Sequence, residues 1–140
     1  MRSYEVTATI RALPERIWSI LTDAPGYAGW DSGMTRLDGR IGPGEKLTIF
    51  NEANPSRGVA LRVVEFESGR RMVWAASTPL GLFKVVRTFT LAPLGAGETR
   101  FQMREEYSGP LLALIGKSIP NLDPLFQRFA RGLKQKAESR

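Results

Sequence analysis

The sequence predicts an α+β fold: a seven-stranded curved antiparallel sheet wrapped around a long C-terminal helix, with two short helices after the first strand. Three observations lead there. Leu122, Phe126, Phe129, Leu133 and Ala137 recur at the spacing of one helix face, with Arg128, Arg131, Lys134, Gln135 and Glu138 between them. Residues 35 to 108 contain no second stripe of that length and read as successive strands punctuated by Gly and Pro. A stripe so long needs an apolar surface to lie on, and a long antiparallel meander twists into a concave one.

The elements follow in order. Tyr4, Val6, Ala8 and Ile10 alternate with Glu5, Thr7, Thr9 and Arg11, the period of a half-buried strand. Pro14 then takes the first position of a helix of about ten residues, where its missing N–H is not needed, and Glu15 suits the positive end of the dipole. Ile17, Trp18 and Leu21 form its apolar face, Asp23-Ala24-Pro25-Gly26 ends it, and Tyr27-Ala28-Gly29-Trp30 makes a second short turn. Strands are predicted over Thr35–Ile41, Glu45–Asn51, Gly58–Glu67, Arg70–Ser77, Phe83–Leu91 and Thr99–Tyr107. Between them lie Gly42-Pro43-Gly44, a loop at Ala53-Asn54-Pro55-Ser56-Arg57, Ser68-Gly69, Thr78-Pro79-Leu80-Gly81 and Pro93-Leu94-Gly95-Ala96-Gly97. The two-residue connection Ser68-Gly69 sets a hairpin pairing Val63 with Trp74 and Leu61 with Ala76. Gly109-Pro110 stops the sheet, Ser118-Ile119-Pro120-Asn121 makes a proline-broken turn, and the long helix is expected from about Pro120 to Glu138. At 140 residues, without repeat or linker, the chain is expected to form one domain over 1–140.

Composition removes whole classes of chemistry. There is no cysteine and no histidine, so disulfides, thiol nucleophiles, imidazole bases and the commonest zinc ligands are excluded. No carboxylates cluster at metal-ligand spacing, and neither metal nor cofactor is expected. Met1-Arg2-Ser3-Tyr4-Glu5 lacks an apolar export segment and no run approaches a membrane span, so the expected location is the cytoplasm. The chain carries 20 basic and 14 acidic residues. Six of the basic and two of the acidic ones fall in residues 111–140, making the last helix cationic. Such a face suits transient contact with an anionic membrane surface or an acidic partner, although last-turn cations also complement the helix dipole. No aromatics are interleaved with these cations, which speaks against nucleic acid. Monomer and homodimer both remain open.

The segment Ile10-Arg11-Ala12-Leu13-Pro14-Glu15-Arg16-Ile17-Trp18-Ser19-Ile20-Leu21-Thr22-Asp23, followed by Tyr27, Gly29 and Trp30-Asp31, resembles the opening of the START-like (SRPBCC) superfamily, in particular its polyketide cyclase/dehydrase and lipid-transport branch. Gly39 with Gly42-Pro43-Gly44, Phe89-Thr90-Leu91-Ala92-Pro93 with Gly97-Glu98-Thr99, and Leu133-Lys134-Gln135-Lys136-Ala137-Glu138 extend the likeness over nearly the whole chain. These motifs are structural and transfer no catalytic residue. The resemblance implies a helix-grip fold with an apolar cavity between sheet and helix. It also implies one of three roles: binding of lipids, sterols, quinones or polyketides, polyketide cyclisation, or service as a chaperone cofactor.

Strand parity says which residues would face such a cavity. Phe83, Val85, Phe89 and Leu91 share one face, as do Phe101, Met103 and Tyr107. Arg87 and Glu105 fall in the same two series, and the hairpin register sets 91 opposite 101, 89 opposite 103 and 87 opposite 105. They read either as an ion pair closing the sheet or as polar groups in a ligand pocket. The candidate ligand-facing set is Trp30, Leu61, Val63, Trp74, Phe83, Val85, Arg87, Phe89, Phe101, Met103, Glu105, Tyr107, Leu122, Phe126 and Phe129. Three roles follow from different classes: a binder or carrier of a hydrophobic small molecule; a cyclase or dehydratase in which Glu105, Asp31 or Tyr107 acts as acid or base, without metal or cofactor; and an interaction module using the cationic helix.

Overall fold

The computed structural model describes residues 1–52, 54–119 and 121–139. Seven strands form one antiparallel sheet: β1 (Arg2–Ile10), β2 (Met34–Gly39), β3 (Lys46–Asn51), β4 (Asn54–Glu67), β5 (Arg71–Ser77), β6 (Lys84–Gly95) and β7 (Glu98–Ser108). Their spatial order is β1-β7-β6-β5-β4-β3-β2, a meander from β2 to β7 with β1 added beside β7. Helix α1 (Pro14–Leu21) and a 3-10 turn (Pro25–Gly29) follow β1, and a short α2 (Leu112–Ile115) precedes α3 (Asp123–Glu138). This is the expected helix-grip arrangement, a curved half-barrel holding a C-terminal helix.

Helix α3 buries Phe126, Phe129, Leu133 and Ala137 with Ala130 and Gly132, while Leu122 is half-buried at its N-cap position. It begins at Asp123, within a turn of the expected start, where the Asn121 carboxamide accepts a hydrogen bond from the Asp123 N–H at 3.1 Å and Pro124 suits the first turn. Pro120 itself lies outside the described residues. Helix α1 is eight residues long and buries Ile17, Trp18, Ile20 and Leu21. The α2 turn, and the 3-10 turn Gly116–Ser118 after it, have no counterpart in the sequence reading.

Three differences within the sheet have physical causes. The expected loop at residues 53–57 is strand from Asn54 onward, with Ala53 outside the described residues. Pro55 is tolerated because it falls where the β3–β4 ladder is interrupted, between the pairs Asn51–Asn54 and Ile49–Val59. The β4–β5 connection has three residues, Ser68-Gly69-Arg70, with the Arg70 N–H donating to the Glu67 carbonyl at 3.0 Å and Gly69 at φ +78°. That turn alone would slip the register by one, but a bulge between Val63 and Glu65 restores it, so Val63 does face Trp74. The ladder then ends at Arg62–Ala75, one step short of the expected Leu61–Ala76 pair, as β4 bends away past its bulge. Finally, β6 runs on through Pro93 to Gly95, and the hairpin closes on two residues, Ala96 and Gly97, both with positive φ.

At Gly132 the backbones of α3 and the segment after Trp30 meet so closely that an added Cβ would lie 2.2 Å from the Asp31 carbonyl oxygen. A Gly→Ala change inside a helix ordinarily stabilises by about 1 kcal/mol. Gly132→Ala is expected to do the opposite, lowering stability by about 1–3 kcal/mol in a denaturant titration, because the opposing atom is backbone and cannot swing aside.

Candidate functional site

The concave face of the sheet divides into a filled half and an open half. In the filled half, Phe129 of α3 meets Tyr27 at 6.3 Å, Trp30 at 5.1 Å, Phe89 at 6.1 Å and Phe101 at 6.0 Å between ring centroids. Trp74 extends this cluster, lying 4.6 Å from Phe89 and 6.2 Å from Tyr27. The indole N–H groups of Trp30 and Trp74 are buried without an acceptor among the described residues, so ring area and shape hold the cluster together.

The open half is a cavity of ≈ 530 Å³. Of the residues selected from the sequence, Leu61, Phe83, Val85, Arg87, Met103, Glu105, Tyr107, Leu122 and Phe126 line it. Trp30, Val63, Trp74, Phe89, Phe101 and Phe129 do not, since they are consumed in the core beneath it. Parity chose the correct face of each strand and could not tell which half of that face the helix would cover. The sequence reading also omitted cavity residues from four places: Ser32, Gly33 and Met34 before β2 and at its start; Ile49 and Asn51 on β3; Arg57 and Val59 on β4; and Ile115, Ser118, Ile119 and Leu125 around the start of α3. Ile49 and Val59 share the odd parity of Leu47 and Leu61, which is the signal that could have found them.

One wall is polar. Glu105 is 5% exposed and sits opposite Arg87 in the β6–β7 register. The Arg87 Nε donates to Glu105 Oε2 at 2.8 Å, its Nη2 donates to the same oxygen, and the Tyr107 hydroxyl donates to Oε1 at 2.9 Å. Both carboxylate oxygens are therefore engaged. The guanidinium also lies 5.5 Å from the centroid of the Phe126 ring, which packs α3 over it. Burial first, then the neighbouring Glu105 charge, pushes the Tyr107 phenol well above its usual range, so it remains a proton donor. The Arg87 Nη1 hydrogens have no protein acceptor among the described residues.

Asp31 lies elsewhere. It is exposed, does not line the cavity, and accepts a 2.6 Å hydrogen bond from Arg128 Nε. Arg128 also holds Glu52 through Nη1 at 2.7 Å and Nη2 at 3.0 Å, which lowers the Glu52 pKa. The three residues clasp α3 to the β3–β4 turn beside the cavity. Among the described residues no group of His, Cys, Asp and Glu is arranged to hold a metal ion.

The family described as polyketide cyclase / dehydrase and lipid transport matches residues 1–138. The chain belongs to that family. Solved structures agree in fold. The di-domain ARO/CYC BexL from the BE-7585A biosynthetic pathway superposes with a TM-score of 0.72 at 18% identity over 99% of this chain, which spans 47% of that protein. The Zhui aromatase/cyclase from Streptomyces sp. R1128 gives 0.72 at 13% identity, covering 98% of this chain and 93% of its own. A START superfamily protein from Mycobacterium smegmatis gives 0.68 at 20% identity, with 97% of each chain covered. No curated protein matches the sequence. These likenesses are of fold.

Two outcomes test this geometry. Removing either Arg87 or Glu105 alone leaves a buried charge without its partner and is expected to cost about 3–5 kcal/mol, whereas Arg87→Leu with Glu105→Leu should cost less than either in the double-mutant cycle, the remainder being the Tyr107 hydroxyl left without its acceptor. The second outcome is alkaline. Burial raises the pKa of fully buried Tyr27 as well as that of Tyr107, from an ordinary value of 10.0. Below that pH both folded and unfolded chains hold these protons and stability is unaffected. Above it the unfolded chain releases them and the folded one does not, so stability should fall with rising pH, and Tyr27→Phe or Tyr107→Phe should flatten the slope.

Proposed function

We propose that this chain binds a hydrophobic small molecule, of the lipid, sterol, quinone or polyketide kind, in the cavity between its sheet and α3. The observation that supports this reading is a mainly apolar cavity with a buried hydrogen-bonded wall, Arg87–Glu105–Tyr107, and four further polar residues, Ser32, Asn51, Arg57 and Ser118, elsewhere on its lining. A volume of ≈ 530 Å³ falls in the range of roughly 300–1,000 Å³ in which small-molecule sites occur. The apolar body of the ligand lies against Val85, Met103, Leu122 and Phe126. At the Arg87–Glu105 wall the charges cancel, so the group favoured there is a neutral acceptor such as a carbonyl or hydroxyl, taken by the spare Arg87 N–H donors.

Binding is favoured over a cyclase or dehydratase reaction. Asp31 is outside the cavity, and Glu105, the carboxylate inside it, has both oxygens engaged before any ligand arrives. An open interior also favours binding over a pure interaction module, whose helix would need no cavity beneath it. On the cationic helix itself, Arg128 and Lys134 are committed to Asp31, Glu52 and Glu138.

A panel of fatty acids, sterols, quinones and aromatic polyketide mimics should include ligands that raise the melting temperature. At a free concentration a hundred times the dissociation constant the stabilisation is about 2.7 kcal/mol. The double replacement of Arg87 and Glu105 should keep the fold and weaken those ligands that carry a polar end. A panel without a thermal shift would rule the binding reading out.

A further inference from the structure

The rim of the cavity carries apolar side chains in solvent. Leu80 is 96% exposed, Leu114 78% and Leu82 38%. Single exposed leucines need no explanation, but these are neighbours. The Leu111 N–H donates to the Leu82 carbonyl at 2.9 Å, joining the turn after β5 to the segment that leads into α2. Phe83 and Ile115, adjacent in sequence to Leu82 and Leu114, both line the cavity, so the two segments form one side of its mouth. Arg57 and Val59 line it from β4.

Two further observations set this rim apart. Leu80 has φ +64° and ψ +13°, the left-handed conformation that a leucine adopts only under strain. Asn or Gly would suit that turn, yet the position holds a large aliphatic group pointed into water. The segments that carry the rim also hold charge of one sign, while the acidic Asp31 and Glu52 flank the cavity at Ser32 and Asn51 and are paired with Arg128. Residues 55–60, 78–84 and 109–119 contain none of the chain's 14 acidic residues and carry Arg57, Lys84 and Lys117. Exposed aliphatic groups on segments whose charged residues are all cations complement an anionic lipid surface, where the apolar groups enter the acyl boundary and the cations meet headgroups.

We propose that this rim, Leu80, Leu82 and Leu114 with Arg57, Lys84 and Lys117, docks onto a bilayer containing anionic lipid. Docking would set the cavity mouth against the membrane. This goes beyond the binding reading and does not depend on it, since docking needs no ligand.

Sedimentation with vesicles tests it directly. The full chain should bind vesicles of phosphatidylcholine and phosphatidylglycerol in equal parts, bind phosphatidylcholine alone far less, and release as salt is added. Lys84→Glu and Lys117→Glu should each lower partitioning by at least about fivefold. Leu80→Asn should lower it too, while leaving the melting temperature unchanged or higher, because Asn accepts the left-handed conformation; a folding defect therefore cannot mimic the result. The same variant should keep its thermal shifts with the small-molecule panel, which separates failure of docking from failure of binding. The proposal is overturned if mixed vesicles do not bind. It is equally overturned if Arg131→Glu with Lys136→Glu on α3 abolishes binding while the rim variants do not. A concentration-dependent dimer that Leu80→Asn dissolves would assign the patch to a second copy of the chain instead.

Discussion

Most of this structure depends on where one phenylalanine sits. Phe129 projects from α3 into a ring of Tyr27, Trp30, Phe89 and Phe101, which come from the turn after α1 and from two different strands. That contact fixes the rotation of the helix about its axis and its depth in the sheet. One turn earlier, Phe126 is carried to the other side of the divide, between the cluster and the open space. Because interiors pack as densely as crystals of small molecules, the aromatic cluster cannot be shared between core and ligand. Filling one half of the concave face is what leaves the other half vacant.

The polar wall is balanced against that apolar setting. A lone arginine or glutamate in such a place would be strongly disfavoured, since water that solvated it has been displaced. Here three groups satisfy one another: a guanidinium opposite a carboxylate across two strands, and a phenol two residues along on the same face. The strand period of two brings Glu105 and Tyr107 to the same side, and the antiparallel register brings Arg87 to them. The cost of burying charge is met within the protein, which leaves a surface that is hydrogen-bonding without being charged.

Much of this was legible in the sequence, and the limits have definite causes. The helix stripe and the alternation of the last two strands are periodic over many residues, so the Arg87–Glu105 register and the buried face of α3 could be read directly. Turns were harder. The β4–β5 register was right although its connection was misjudged by one residue, because the bulge beside Val63 compensates for the longer turn. The strand character of residues 54–57 was hidden by Pro55, which lies where the ladder is already broken. For the cavity, parity identifies a face but carries no information about depth along it. Trp74 and Val85 are equivalent in sequence pattern, and only the docking of α3 makes one of them core and the other wall.

Among the described residues strand β1 bonds only to β7 within the sheet, and Glu5 reaches Gln102 across 97 residues of chain. During synthesis β1 therefore leaves the ribosome long before its partner exists. Closing so large a loop is entropically slow, and pairings of this separation are typical of late folding steps. Until β7 arrives, an amphipathic strand with Val6 and Ile10 on its apolar side is without cover. Completion of this sheet therefore waits on the last of its strands to be made.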